Sequence, residues 1–418
     1  MSITFNNQIE ERFIPVAYDE LFEGCLKYFN IQEKEHYQNF SSLLRSFYHA
    51  RFHKELLALK ALYLPFNPDA DTISLQSYTH KEYEKIKSNL VSKVRPLLND
   101  ANYEELTQDA LSRALNDISP YGVDVSVDFD DFEDIVLFFR GEANREEQRR
   151  TLKSLYLKKE TLHVKVYRRL FLLIKPKTLD TRAQEIVDKE GGNIEKVRKK
   201  LRRTTPVLID GDASERIYLK LFKDIPQADL EMLFPNTKVK ITLQDKMKIG
   251  LTGGGGTAGG AFTLISKLSA AIDPISLLIA LGGFGGVLWR QIKNVFTHQT
   301  RYMAALAKNL YFYNLDNNAG VLTYMIDMAE AEESKEALLA YLFLNTSTAV
   351  LNRESLDKKI EAYMLETYKI PMDFEVDDGI EKLLELGIVK ESNGILEVIT
   401  RDEALRCLKS EMQKLYAT

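Results

Sequence analysis

One stretch of the chain, residues 249 to 289, limits what the protein can fold into more than any other. Eighteen residues from Ile249 to Ser266 carry no charge, and sixteen more uncharged residues run from Pro274 to Trp289. At about 1.5 Å of helical rise per residue, the two runs reach roughly 27 and 24 Å, slightly less than the roughly 30 Å hydrocarbon layer of a bilayer. The stretch therefore predicts a two-helix transmembrane hairpin over residues 246–293.

The glycines of this stretch are spaced four apart, so that both members of a pair lie on one helix face. That spacing lets a second backbone approach closely in lipid, whereas the same glycines would cost up to about 1 kcal/mol each in a helix in water. We therefore predict helix packing in the membrane through Gly250, Gly254, Gly255, Gly256, Gly259, Gly260, Gly282 and Gly286.

Two alternatives remain for the same residues. The first is a hairpin that is buried inside a soluble domain, or that inserts only conditionally. The second is a phosphate-binding loop, because Gly254, Gly256 and Gly259 satisfy G-x-G-x-x-G. The second alternative is weak: the nearest predicted strand ends several residues upstream, and a Walker lysine is missing.

Charges on either side of the stretch predict its orientation. Lys246 and Lys248 precede the first run, and Arg290 and Lys293 follow the second, with Trp289 at the boundary. Because positive flanks stay on the cytoplasmic side, both chain ends are expected to be cytoplasmic. The start of the chain lacks a basic region followed by an apolar core, so no secretory signal is expected.

Composition excludes several classes of protein. The 418 residues are 45% hydrophobic and 28% charged with a net charge of −5, which is typical of a largely water-soluble protein without a general affinity for nucleic acid. Cys25 and Cys407 are the only cysteines. Two cysteines at opposite ends argue against a disulfide scaffold and fit a reducing compartment.

Periodicity predicts an α+β protein in five segments. Residues 1–116 have apolar residues at helical spacing and predict a helical domain, with helices also expected over KEYEKIKSNLVSKVRPLL and ANYEELTQDALSRAL. Residues 117–245 predict an antiparallel or mixed α+β domain: Val123, Val125, Val127 and Phe129 alternate with polar residues, and further strands are expected in IVLFFRG, in ETLHVKVYRRLFLLIKPK, and in a hairpin between PVLID and RIYLKLF. The hairpin over 246–293 follows, then a helical array over 294–350 with separate helices near 322–329 and 337–343.

The last segment, residues 351–418, predicts a winged-helix-like domain. Helices are expected over 355–368 and 374–386, two strands across Asn393-Gly394, and a final helix after a capping box of Thr400 and Glu403. Acidic residues dominate its candidate recognition helix, so phosphate would be repelled. Protein–protein contact is the expected use.

One basic cluster stands out in the middle segment. Within a predicted helix lie Lys196, Arg198, Lys199, Lys200, Arg202 and Arg203. Each charge near a bilayer contributes about 1 kcal/mol of attraction to anionic lipid. Contact with anionic lipid and a plain solvated helix face are weighed equally, and nucleic acid ranks below both because no aromatic residues are interleaved for base stacking.

Three features carry a family resemblance. These are the motif Phe222 to Glu231 with Pro235, the glycine-rich apolar pair, and the segment NLDNNAGVLTYMIDMAEAEESKEALLAYLFL at 314 to 344. In them the chain resembles the domain-of-unknown-function family thirty-seven fifty-four, the transmembrane-protein-one-four-three-like proteins, over roughly residues 120 to 410. The resemblance implies a membrane protein without an established activity, and it marks Lys223, Asp224, Pro226, Asp229, Glu231 and Pro235 as family-motif candidates.

Other chemistry is poorly supported by the sequence. Lys223 with Asp224, Asp229 and Glu231 suits the end of a strand and the start of a helix better than acid–base catalysis. His49 and His53 lie four apart but lack a third metal ligand. The acids Asp128, Asp130, Asp131, Glu133 and Asp134 lack the glycine of a calcium-binding EF-hand loop, so a solvated strand face and turn is preferred.

The sequence thus predicts a membrane-anchored scaffold or interaction protein. No catalytic residue, cofactor or metal is expected, and the expected partners are membrane lipid, another protein and a further copy of the chain. The alternative is a pore-forming or membrane-perturbing protein that assembles through its glycine-rich hairpins.

Overall fold

In this computed structural model of the protein, the first described elements are three helices: α1 (Tyr18–Tyr28), α2 (Lys34–Tyr63) and α3 (His80–Asp100). The structure describes residues 12–31, 34–71, 77–106, 124–150, 159–205, 207–208, 215–240 and 310–417. A capping box starts α3, because the Thr79 side chain accepts from the Glu82 amide while the Glu82 carboxylate accepts from the Thr79 amide at 2.7 Å. These are the helices that the apolar spacing predicts.

The helix expected over ANYEELTQDALSRAL is wrong in its described part. Glu104–Glu105 forms strand β1 instead, and it pairs with Phe138 and Phe139 of a long strand. Tyr103 and Leu106, on either side of β1, are buried. Pairing with a sheet edge has overridden the helix propensity of this short segment, as tertiary contacts often do.

An antiparallel sheet forms the middle of the protein. It consists of five strands in the order β1-β3-β4-β5-β7. Besides β1 these are β3 (Phe132–Arg150), β4 (Lys159–Pro176), β5 (Tyr218–Pro226) and β7 (Asn314–Asn317). A separate pair joins β2 (Asp124–Ser126) to β6 (Lys238–Lys240). The strands predicted in IVLFFRG and ETLHVKVYRRLFLLIKPK are confirmed, and both faces of the sheet are covered: one packs against the helices, and the other covers a second apolar cluster around Leu172 and Phe234.

The hairpin expected between PVLID and RIYLKLF is not formed. Val207 and Leu208 lie in a turn, and the expected Asp-Gly-Asp turn falls outside the described residues. Strand β5 pairs with β4 and β7 instead. Leu208 is buried in a small cluster with residues of helices α4 (Leu179–Glu190) and α5 (Ile194–Thr204), and this packing explains why its apolar character does not signal a strand.

Helix α6 (Ala319–Thr346) runs through the core without a break for 28 residues. The expectation of two separate helices near 322–329 and 337–343 is therefore wrong. The charged residues between those segments resemble a linker in the sequence, but the structure buries them with partners. Asn318 is the N-cap residue of the helix. Its positive φ of 51° turns the backbone between the end of β7 and the first residue of α6.

The carboxy-terminal elements are α7 (Arg353–Tyr368), α8 (Val376–Glu385), β8 (Val389–Ser392), β9 (Ile395–Val398) and α9 (Arg401–Ala417). Asn393 and Gly394, between the strands, both have positive φ, which the predicted tight turn requires. The predicted capping box is present, since Thr400 donates from its hydroxyl to Glu403 at 2.6 Å and from its amide at 3.1 Å.

One hydrophobic core includes residues from both ends of the chain. Phe40 and Leu44 of α2, Leu342 of α6 and Leu408 of α9 are all buried in it. The segments 1–116 and 351–418 therefore share a core, while the five domain boundaries remain predictions.

The predicted transmembrane hairpin, with all eight of its packing glycines and the alternative phosphate-binding loop, lies outside the described residues. Within the described ranges, no helix is both long enough and apolar enough to cross a membrane.

Candidate functional site

A large cavity lies on the sheet face that is turned away from the helical core. Its volume is about 980 Å³, within the range of small-molecule sites. Strand β5, the segment that follows it, and the residues just before β7 form its wall. The apolar side chains lining it include Phe222, Met232, Leu233, Phe234, Leu310 and Tyr311.

Among the described residues of the cavity wall, Lys220 is the one that is charged. Its ammonium donates to the Asn317 side-chain oxygen at 2.6 Å, across the β5–β7 pairing. Burial lowers the pKa of Lys220, and the negative charge of Asp69 opposes that shift. An apolar cavity with one such donor suits an amphiphile with an acyl chain and a polar or anionic head.

The cavity also contacts residues on both sides of the segment 241–309, which lies outside the described residues. Thr237, just before β6, and Leu310, at the return, both line it. Beside it, Tyr311 is 78% exposed and Phe312 is 59% exposed. Thr237 and Leu310, on the two sides of the intervening segment, therefore line the same cavity.

The family-motif candidates follow one another along the chain, and among the described side chains they form no catalytic pair. Lys223, Asp224 and Pro226 are at the end of β5, and Asp224 has a positive φ of 52°. Asp229 and Glu231 lie in a 3₁₀ helix, Gln227–Leu233. Pro235 lines the cavity. The expected end of the strand at Pro226 is confirmed, and Pro235 is the family-motif candidate that lines the cavity among the described residues.

Helix α5 presents the basic cluster. Asn193 caps it, with its side chain accepting from the Glu195 amide at 2.9 Å, and buried Leu201 packs it against α4. Arg198 is half-buried and pairs with Asp180 and Glu195. The other five basic side chains are exposed, and they are Lys196, Lys199, Lys200, Arg202 and Arg203.

The acids weighed for calcium surround an arginine instead. Arg182 of α4 reaches Asp128 at 3.0 Å, Asp130 at 3.3 Å and Asp131 at 3.1 Å. Asp131 is buried and also accepts from the Asn236 side chain at 2.9 Å. The prediction of a solvated strand face is thus wrong for Asp131. The Arg182 guanidinium occupies the position among these carboxylates that a calcium ion would need.

The remaining candidates are bound to other groups. Glu133 and Asp134 face Lys87, and Glu133 also faces the buried Lys175 at 3.0 Å. His49 lies 3.2 Å from Glu330 on an exposed surface, where its ring is 6.2 Å from that of His53.

Sequence reasoning missed a buried group of charges in α6. Glu332 accepts from the Ile14 amide and pairs with Lys335, both at 2.8 Å. Glu333 pairs with Lys382 of α8 at 2.9 Å, and Glu336 contacts the same ammonium. Four charges within five positions, directly before the apolar run Ala337 to Leu344, were the signal available in the sequence.

Burial dominates the electrostatics of this group. It raises the pKa of Glu333 and of Glu336 to about 7 in each case, even though Lys382 favours their charged forms. Although burial disfavours the charge of Lys382, Glu336 and Glu333 together raise its pKa. A compact set of carboxylates is therefore held around a single ammonium inside the core.

Residues 132–320 match the family described as "Protein of unknown function (DUF3754)". The family resemblance noted from the sequence is thereby confirmed. No solved structure matches the chain.

Proposed function

Because the matched family has no described activity, we propose from sequence and structure that the protein is a membrane-anchored scaffold or interaction protein that performs no chemistry of its own. The predicted hairpin at 249–289 is its anchor, and both chain ends are cytoplasmic. The observation that carries the proposal is the shared position of Thr237 and Leu310 at one cavity.

A membrane hairpin needs its two ends close together on the same side of the bilayer. The position of Thr237 and Leu310 at one cavity supports this arrangement. The exposed rings of Tyr311 and Phe312 support the same orientation, because aromatic side chains are enriched where protein meets the membrane–water boundary.

Helix α5 supplies a second contact in this proposal. Its five exposed basic side chains attract anionic lipid by about 1 kcal/mol each near the surface, and the attraction falls away within a Debye length. Arg198 contributes less, because Asp180 and Glu195 already pair with it.

The carboxy-terminal elements provide the partner-binding surface. Helix α8 exposes Asp377, Asp378, Glu381 and Glu385, whereas its one lysine, Lys382, is buried. In a winged-helix-like arrangement this helix would repel nucleic-acid phosphate and attract a basic protein surface. Arg353 pairs with Asp377 and Glu381, and Arg51 pairs with Glu385, so part of this charge is neutralised within the chain; the acidic excess that remains favours a protein partner.

Alkaline carbonate extraction of membranes tests the anchor. The intact chain is expected in the membrane pellet, whereas a Leu278→Glu variant is expected to shift to the wash, because a buried acid costs about 2.5–3.5 kcal/mol at the centre of a membrane helix. Leu57→Glu, at an exposed leucine of α2, is the matched control and should stay in the pellet. Release of the intact chain into the wash would contradict the anchor.

Vesicle flotation separates the basic helix from the anchor. Lys199→Glu with Lys200→Glu should lower binding to vesicles with anionic lipid and leave binding to neutral vesicles unchanged. Lys358→Glu with Lys359→Glu, on an exposed face of α7, is the control of equal charge change. Equal losses in both double variants would remove α5 as a lipid contact.

The alternative is a pore, and the glycine spacing favours it. Hairpins that pack through Gly250, Gly254, Gly282 and Gly286 would assemble from several chains. Dye release from vesicles distinguishes the two functions: an anchored scaffold binds vesicles and leaves them sealed, whereas a pore empties them.

A further inference from the structure

We propose that Glu333, Glu336 and Asp378 form a binding site for a divalent metal ion between α6 and α8. A carboxylate oxygen from each of the three lies within 4.8 Å of the others. Glu333 and Glu336 are three positions apart on α6, so both side chains leave the same helix face. Asp378 faces them from the first turn of α8.

The charge around these carboxylates favours a further cation. Lys382 is the single ammonium among three acids. From the elements packed against them, α3 adds Asp100, and α2 adds Glu55 and Arg51. Counting these groups together gives five acids against two cations, so the group of side chains would attract a divalent cation.

Tyr48 provides an independent indication of a missing ligand. Its side chain is completely buried, and its hydroxyl has no hydrogen-bond partner. The charges that act on this hydroxyl belong to Glu333, Lys382, Arg51 and Glu336, so it lies within electrostatic reach of the carboxylates. Buried hydroxyls nearly always have a partner, and a metal-bound water or the ion itself would supply one.

The ligand chemistry indicates which class of ion would bind. Every donor is a carboxylate or phenol oxygen, and no nitrogen or sulfur ligand is present in the set. Such sets suit the hard cations Mg²⁺, Mn²⁺ and Ca²⁺. Asp378 is exposed, so the ion reaches the buried glutamates from solvent past this residue.

Lys382 is the competitor in this proposal. Its ammonium contacts Glu336 and lies 2.9 Å from Glu333, so it stands among the oxygens that the metal needs. Binding of the ion therefore displaces the ammonium from at least one glutamate. Loss of the lysine should tighten metal binding rather than weaken it.

Titration calorimetry with Mn²⁺ on the full-length protein tests the site. The wild type should bind one ion, and Asp378→Asn should weaken binding at least tenfold without disturbing the core, because Asp378 is exposed. Glu336→Gln should weaken it at least as much. Glu354→Gln, which removes an exposed acid paired with Lys358 on α7, is the matched control and should leave the affinity unchanged.

A thermal scan with Lys382→Met provides the second measurement. This variant should melt below the wild type without metal, and Mn²⁺ should raise its melting temperature by more than it raises that of the wild type. Absence of Mn²⁺ binding by the wild type at millimolar concentration would overturn the proposal. Binding that is unchanged in both Asp378→Asn and Glu336→Gln would also overturn it.

Discussion

Replacing Arg182 by methionine should loosen α4 from the sheet more than any exposed substitution in that helix. The Arg182 side chain is only 7% exposed, and it contacts Asp128, Asp130 and Asp131. Methionine keeps much of the apolar stem and removes the charge. The change therefore isolates the ion pairs from the packing.

The magnitude follows from the burial of each partner. Asp131 is 2% exposed and would become an unpaired buried carboxylate, which costs about 3–5 kcal/mol. Asp128 and Asp130 are 44% and 57% exposed, so water screens them and each adds less than about 1 kcal/mol. The expected total is about 4 kcal/mol.

Native-state hydrogen exchange of the α4 amides measures this loss directly, because it reports local opening. Since about 1.4 kcal/mol corresponds to a tenfold change, these amides should exchange about 10³-fold faster. The double variant Arg182→Met with Asp131→Asn is the control: it leaves no buried charge, and it should recover most of the protection. The reasoning would be refuted if the α4 amides of the single variant lost less than tenfold in exchange protection. It would also be refuted if the double variant were no better protected than the single one.

Three further predictions concern other regions. Burial and nearby acids, Glu361 first among them, raise the pKa of Asp357 to about 6, so the wild type should lose stability as the pH rises from about 4 through 6. In urea titrations the free energy of unfolding of Asp357→Asn should therefore be higher than that of the wild type by less than about 1 kcal/mol at pH 7.5, and the two should be equal near pH 4. A difference in free energy that does not change with pH would contradict this. A Cβ at Gly24 would lie 2.0 Å from the Tyr368 hydroxyl, so Gly24→Ala should destabilise by about 1–3 kcal/mol in urea, and Tyr368→Phe should partly rescue it. Burial raises the pKa of Cys25 to about 12, so at pH 8 a thiol reagent should label it only after unfolding.

Local patterns in the sequence predicted the elements that depend on neighbouring residues. The apolar run in Ile135 to Arg140 predicted part of β3, and Asn393-Gly394 predicted the turn between β8 and β9. The Thr400 capping box began a helix as expected. In the turn and the capping box the stabilising contact lies within a few positions along the chain, so the sequence contains both partners.

Features that depend on distant partners were not predicted. The strand at Glu104–Glu105 forms because β3 offers its edge, more than thirty residues further along the chain. The buried position of Asp131 depends on Arg182, 51 positions away. The unbroken course of α6 depends on Lys382, which is 46 positions from Glu336 and neutralises charges that would otherwise end a buried helix.

Hydrogen bonds at the start of α6 connect the cavity wall at Lys220 with the helix that contains the buried glutamates. Asn318, the residue before this helix, exchanges hydrogen bonds with Leu219 of β5: its amide donates at 2.8 Å, and its side-chain oxygen accepts at 3.2 Å. The same oxygen accepts from the Tyr63 hydroxyl of α2 at 3.1 Å. Next to it in β7, Asn317 accepts from Lys220 in the cavity wall. Because Asn318 is buried and satisfied by both α2 and β5, α6 cannot slide along the sheet without breaking these bonds. The proposed metal site therefore stands on a helix whose beginning is fixed to the cavity beside the proposed anchor.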